Sequence, residues 1–149
     1  MTVQASLSID ECDPEETWNA LKDDPRAQLV DVRTRPEWSF VGIADLTALG
    51  RETILSEWRM YPDMRVNARF ADDLFAAFDA QIPSQIFFIC RSGARSLDAA
   101  RAVAEVAAQR GLHLRCVNVA EGFEGDLDPH RHRGSMNGWK ARGLAWIQS

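Results

Sequence analysis

The stretch at residues 85–90, QIFFIC, constrains the fold more than any other part of the chain. Ile86, Phe87, Phe88 and Ile89 follow one another with no polar residue between them. A strand with this pattern has no face to turn to water and must be covered on both sides, as strands of a parallel sheet are. The run stops at Cys90 and passes directly into a polar stretch, Arg91-Ser92-Gly93. From about Arg95 to Arg110, Leu97, Ala100, Val103, Ala104 and Ala107 recur at helical spacing, and Gly111 supplies a stop. Strand, tight loop and helix therefore follow one another across Cys90.

The rest of the chain repeats the alternation. Residues 14–22 read as a short helix, with Pro14 near its start, Glu15 and Glu16 in its first turn, and Trp18 and Leu21 on its apolar face. Residues 27–33, AQLVDVR, read as a strand ending at Asp31 and Arg33. Residues 41–49, VGIADLTAL, are a weaker strand candidate. Residues 67–78 carry Phe70, Leu74, Phe75 and Phe78 on one helical face, and residues 114–119, LRCVNV, read as a strand. Strands alternating with helices predict an α/β fold with parallel strands, in which ligands bind at the carboxyl ends of the strands. Cys90 is at such an end. With 149 residues, 46% of them hydrophobic, no repeat and no linker, residues 1–149 are expected to form a single domain.

A net charge of −5 argues against a surface built for nucleic acid or for an anionic membrane. The N-terminal residues lack a basic stretch followed by an apolar one, and no segment approaches the roughly 20 apolar residues of a membrane span. The expectation is a cytoplasmic protein. Cys12, Cys90 and Cys116 form neither an even disulfide set nor a CxxC pair, so free thiols are expected.

The loop CRSGARS has a chemical reading of its own. A chain turning from strand into helix across Arg91, Ser92, Gly93, Ala94, Arg95 and Ser96 points unpaired backbone N–H groups into the turn and makes a concave anion site. Gly93 allows the turn. Those N–H groups, the positive end of the helix dipole and the guanidinium groups of Arg91 and Arg95 all favour a thiolate at Cys90, which is then an activated nucleophile.

CRSGARS resembles the active-site loop of the rhodanese-like sulfurtransferases, which follows the fourth strand in the form C-R-S-G-x-R-S. LVDVRTRPEW resembles the family's D-V-R-x-x-x-E-aromatic stretch, VAEGFEG its glycine pair, and GWKARGLAW its W-x-x-x-G-L-P ending, from about residue 7 to 147 in all. The resemblance implies a three-layer fold, a five-stranded parallel sheet flanked by helices. It also implies that Cys90 takes a sulfane sulfur from a donor such as thiosulfate, becomes a persulfide, and passes the sulfur to a thiophilic acceptor such as cyanide or a thiol. The partners implied are small-molecule donors and acceptors, with thioredoxin or another thiol protein as a further acceptor, and no cofactor. The chain departs from the family at FVGIADLTALG, which replaces a G-H-I-P-G-A stretch, and at Ala145, which stands where proline is common.

Two other readings stay open. One is a non-catalytic module of this kind that binds a partner or reports redox state. The other is a Cys-dependent phosphatase or arsenate reductase, whose loop is one residue longer, C-x5-R against the C-x4-R of Cys90 and Arg95. Asp31 and Arg33 stand at the expected rim of the site, as a structural ion pair or as substrate contacts. Cys116, read as level with Phe87 and some 10 Å below Cys90, is beyond disulfide reach. Cys12 reads as an ordinary thiol in an acidic turn. His130 and His132 lack a third convergent ligand and predict no metal. The five tryptophans sit in separate elements and read as packing residues. Residues 124–137 form a long connection expected to border the site.

Overall fold

The computed structural model describes residues 8–149. The chain runs through β1 (Asp10–Cys12), α1 (Pro14–Asp23), β2 (Ala27–Asp31), α2 (Arg35–Phe40), β3 (Ile43–Ala44), β4 (Ile54–Leu55), β5 (Arg59–Met60) and β6 (Arg65–Val66). It continues through α3 (Phe70–Phe78), β7 (Gln85–Ile89), α4 (Ala94–Gln109), β8 (Arg115–Val119) and β9 (Trp146–Ile147). Five strands form one sheet in the order β1-β8-β7-β2-β4, and every pairing in it is parallel.

The uninterrupted apolarity of β7 has the consequence read from it. Ile86 and Phe88 point to one face of the sheet, into a core shared with Phe70, Leu74, Phe75 and Phe78 of α3 and Ala100 and Val103 of α4. Phe87 and Ile89 point to the other face, where Leu21 of α1, Phe123 and Trp139 cover them. Three layers result, and the sheet is buried from both sides. At the start of α1, Asp13 accepts from the Glu16 N–H at 2.8 Å while Glu16 accepts from the Asp13 N–H at 2.9 Å. This reciprocal cap, with Pro14 at the first helical position, sets where the helix begins.

The structure differs from the sequence reading in three places. Of residues 41–49 only Ile43 and Ala44 form a strand. It pairs antiparallel with Trp146 and Ile147 outside the main sheet, and Thr47–Leu49 close into a 3-10 turn. The outer strands of the sheet are instead β1 and β4, with three and two residues, too short to carry a period. Cys12 therefore lies on a strand and not in a turn. Cys116 pairs with Ile86 and not with Phe87, which puts it four residues below Cys90, roughly 13 Å at strand rise.

Candidate active site

Cys90 is the first residue past β7, in the middle of the sheet, where the strands end together. Gly93 turns the chain into α4 with φ 117°, a conformation that costs a residue with a side chain but not glycine. The turn brings the Gly93 N–H to 3.1 Å from Cys90 Sγ and the Ser96 hydroxyl, on the first turn of α4, to 3.1 Å on another side. The segment after β8 clamps the loop from above. The N–H of Phe123 donates to the Cys90 carbonyl at 2.8 Å, and those of Glu124 and Gly125 donate to the Arg91 carbonyl at 3.0 and 3.2 Å. This contact is possible because position 122 is glycine: a Cβ there would lie 2.5 Å from the Cys90 carbonyl oxygen. The long 124–137 connection thus borders the loop at its first residues. Farther on it folds around Asp128, which accepts from the backbone N–H of His130 and His132 and from Ser135 Oγ.

The place of Cys90 at a strand end does not expose the thiol. Cys90 is 1% exposed. The strand that delivers it runs through the core, and the clamp from residues 122–125 closes over its backbone.

The two loop arginines have different surroundings. Arg91 points to solvent and, among the described residues, makes no ion pair. Arg95 is locked to Glu37 of α2 by two hydrogen bonds of 2.7 and 2.8 Å. Burial raises the Glu37 carboxyl, but the hydrogen bonds and charge of Arg95, with bonds from Thr34, outweigh it and hold the group down at about 2. Glu37 in turn raises Arg95, chiefly by its hydrogen bond. Arg95 is therefore a brace between the loop and α2, and Arg91 is the loop's exposed cation. Ser92, Gly93 and Ala94 complete the turn, Ala94 exposed and the other two half-buried.

Asp31 and Arg33 are buried beneath the site, 1% and 0% exposed, and pair through bonds of 2.7 and 3.0 Å. Arg33 also donates to the Gly42 carbonyl at 2.7 Å and stacks 4.3 Å from the centre of the Phe123 ring. Their surroundings are those of a structural pair that ties the end of β2 to the turn at Gly42 and to Phe123 of the clamp. Cys116 packs in the core, its thiol pushed up to about 12 by burial, and all three cysteines are free.

Two groups at the site went unread in the sequence. Asn118 on β8 is 2% exposed and connects Ser96 to Glu11 and to the Gly93 carbonyl. Its signal is there, since it is the one polar residue among the buried positions Cys116–Val119 of β8. Glu121 adopts φ 71°, uncommon for a residue with a side chain, and binds Arg142 through bonds of 2.6 and 2.9 Å.

A doubly covered parallel sheet with a thiol at a central strand end, cradled by a helix start, defines a class of α/β proteins with a cysteine-centred anion loop. Residues 13–142 match the family model of the Rhodanese-like domain, and the chain belongs to that family. It is 34% identical over 129 residues to the uncharacterized protein RP600 of Rickettsia prowazekii, covering 87% of this chain and 89% of that one. Among solved structures, Rv0390 from M. tuberculosis superposes with a TM-score of 0.81 at 44% identity, over 95% of this chain and 100% of that one. The polysulfide-sulfur transferase homodimer of Wolinella succinogenes shares the fold, with a TM-score of 0.54 at 17% identity over 95% of this chain and 80% of that one. Among the described residues no helix is long and apolar enough to cross a membrane.

Proposed function

We propose that the protein is a sulfurtransferase in which Cys90 carries a sulfane sulfur as a persulfide. The observation that supports this most is the cradle itself: a nearly covered sulfur with a backbone N–H and a hydroxyl, each 3.1 Å away, at the start of α4. The Cys90 thiolate attacks the terminal sulfur of a donor such as thiosulfate. A new S–S bond forms, the donor's S–S bond breaks, and sulfite leaves with the electron pair. In the second half-reaction a thiophilic acceptor, cyanide or a thiol, attacks the outer sulfur and restores the Cys90 thiolate. Donors and acceptors are small molecules in this reading, with thioredoxin or another thiol protein as a further acceptor.

A sulfur this deeply set favours a slim terminal atom over the face of a tetrahedral phosphoryl group, and the C-x4-R spacing points the same way. Arg91, exposed at the mouth, is suited to hold the sulfite half of thiosulfate, while Arg95 keeps the loop's shape. The test is intact mass after incubation with thiosulfate. The wild type is expected to gain one sulfur atom that a reductant removes, and Cys90→Ser to gain none. No mass gain in the wild type, or an equal gain in Cys90→Ser, would defeat the proposal.

A further inference from the structure

A cleft of about 550 Å³ lies at the opposite end of the sheet from Cys90, where β2 and β7 begin. Its walls come from the turn after α1, the start of β2, Arg51, the last turn of α3 and residues 80–83 leading into β7. Arg26, Arg51, Gln28 and Gln81 supply its long polar side chains, Phe78, Ile82 and Pro83 an apolar side, and no carboxylate lines it. On a chain with a net charge of −5, a cleft whose only charges are cations stands apart from the average surface.

Both arginines are fastened by neutral groups. Arg51 donates from Nη1 to the Leu21 and Asp24 carbonyls at 2.9 and 3.2 Å, and Arg26 donates from Nη2 to the Ile82 carbonyl at 3.0 Å. For Arg51 this caps the end of α1 and uses one nitrogen. The parallel pair Nε and Nη2, the edge that matches two oxygens of an oxyanion, has no partner among the described residues and is open to solvent. Arg26 is exposed, with Nε and Nη1 equally free. The carboxylates nearest in sequence are turned elsewhere. Asp24 accepts from Ser84 Oγ at 2.5 Å, Gln85 Nε2 at 3.0 Å and the Arg26 N–H at 2.9 Å. Asp23, Glu52 and Asp79 are exposed, and none of the four forms an ion pair with Arg26 or Arg51.

We propose that this cleft binds a small phosphorylated molecule, with its phosphate between Arg26 and Arg51 and its uncharged body against Phe78, Ile82 and Pro83. Two guanidinium groups answer the two charges of a phosphate monoester, and their planar forks suit its oxygens better than an ammonium would. The carbonyl bonds hold both forks in place before the ligand arrives, so less freedom is lost on binding. Gln28 gives Nε2 to the Leu29 and Glu52 carbonyls, both at 2.9 Å, and has only the acceptor Oε1 to offer a hydroxyl or N–H of the ligand. The volume is that of a small-molecule site. From Gln85 to Cys90 the strand climbs roughly 17 Å, so this site is separate from the sulfur-transfer loop and goes beyond the function proposed for it.

The probe is adenosine 5′-monophosphate, with adenosine as its uncharged counterpart, titrated into the full chain at fixed salt and followed by calorimetry and amide NMR shifts. The monophosphate is expected to bind with a Kd of about 1 mM or below and adenosine at least about 10-fold more weakly, with shifts at Gln28, Arg51 and Gln81. Arg26→Gln should weaken the monophosphate by roughly 10-fold or more, the loss of one charge-assisted contact. Because Arg51 also caps α1, its replacement risks the fold, and the second variant keeps both arginines. Gln81→Glu, at an exposed position, sets a carboxylate in the cleft and should weaken the monophosphate several-fold without weakening adenosine. No binding of the monophosphate up to about 10 mM, or adenosine binding as tightly, overturns the proposal. So do wild-type affinity in both variants and shifts gathered at residues 90–96 in place of the cleft. No arm uses a sulfur donor, so this site and the sulfur transfer proposed for Cys90 fail or survive independently.

Discussion

Gly122 illustrates how a single atom can govern the site. A methyl group there would meet the carbonyl oxygen of Cys90 at 2.5 Å and the backbone of Arg91 at 2.6 Å, on a residue whose φ is 67°. Gly111 has nearly the same φ, 69°, with nothing within 4 Å of the corresponding position. Gly111→Ala therefore measures the left-handed backbone cost alone, about 1–2 kcal/mol. Gly122→Ala should cost clearly more in chemical denaturation and should also slow Cys90 alkylation, because the loop must move. Equal costs at the two positions would mean the clamp is not tight. Arg91, free of the ion pairs that hold Arg95, carries the second prediction. Arg91→Ala should lower kcat/KM for thiosulfate by roughly 10- to 100-fold, the loss of one charge-assisted contact, and affect a less charged persulfide donor much less. Steady-state rates with both donors at matched ionic strength decide it. Equal losses for the two would assign Arg91 to loop structure.

Between elements, the bond that matters most for the loop is the one from α4 to α2. Thr34 and Arg95 both donate to Glu37, so the first turn of each helix is fixed by the same carboxylate. The group's ordinary value near 4.5 falls to about 2 in the folded protein. A depressed carboxyl stabilises the fold fully above its unfolded value, and that contribution fades as pH falls from about 4.5 toward about 2. Wild type should exceed Glu37→Gln in stability at neutral pH by on the order of 2–3 kcal/mol, toward the lower end because the pair is partly exposed. Denaturation at a series of pH values should show the gap closing across that acid window. A gap that stays constant down to pH 2 would show that Glu37 acts through shape and not charge. This tie could not be read from CRSGARS or from RTRPEW separately, because its ends lie 58 residues apart.

Across the molecule, the C-terminal segment closes the layer opposite α3 and α4. Trp139 is fully buried there, donates from its indole to the Ala145 carbonyl at 2.8 Å, and meets Trp18 of α1 edge-on at 6.1 Å. Arg142 joins Glu121 to Asp13 and Glu15, so three distant parts of the chain meet at one guanidinium. Trp139→Ala should cost about 3–5 kcal/mol in denaturant unfolding, the range for emptying a large aromatic site. A cost below about 1 kcal/mol would mean that the segment only rests on the core. The β7–loop–α4 unit, with its nucleophile, its glycine and its two arginines, was legible from residues 85–110 because each signal is local: continuous apolarity, a permissive φ, a helical period. The same holds for β2, β8, α1 and α3, whose patterns are long enough to count. The strands β1 and β4 were not legible, since two or three residues carry no period and their place comes from the neighbours they pair with. Neither was the register of Cys116, nor the burial of Cys90, whose side chain joins the core shared by β7, α3 and α4 only once those helices have packed on the sheet. Asn118 was visible only as an odd residue. Its meaning arises when parallel pairing sets β8 beside β7 and brings its amide under Ser96, 22 positions away. Local pattern specifies elements and the chemistry they carry, while hydrogen-bond partners across the sheet exist only once strand order has put them within 3 Å.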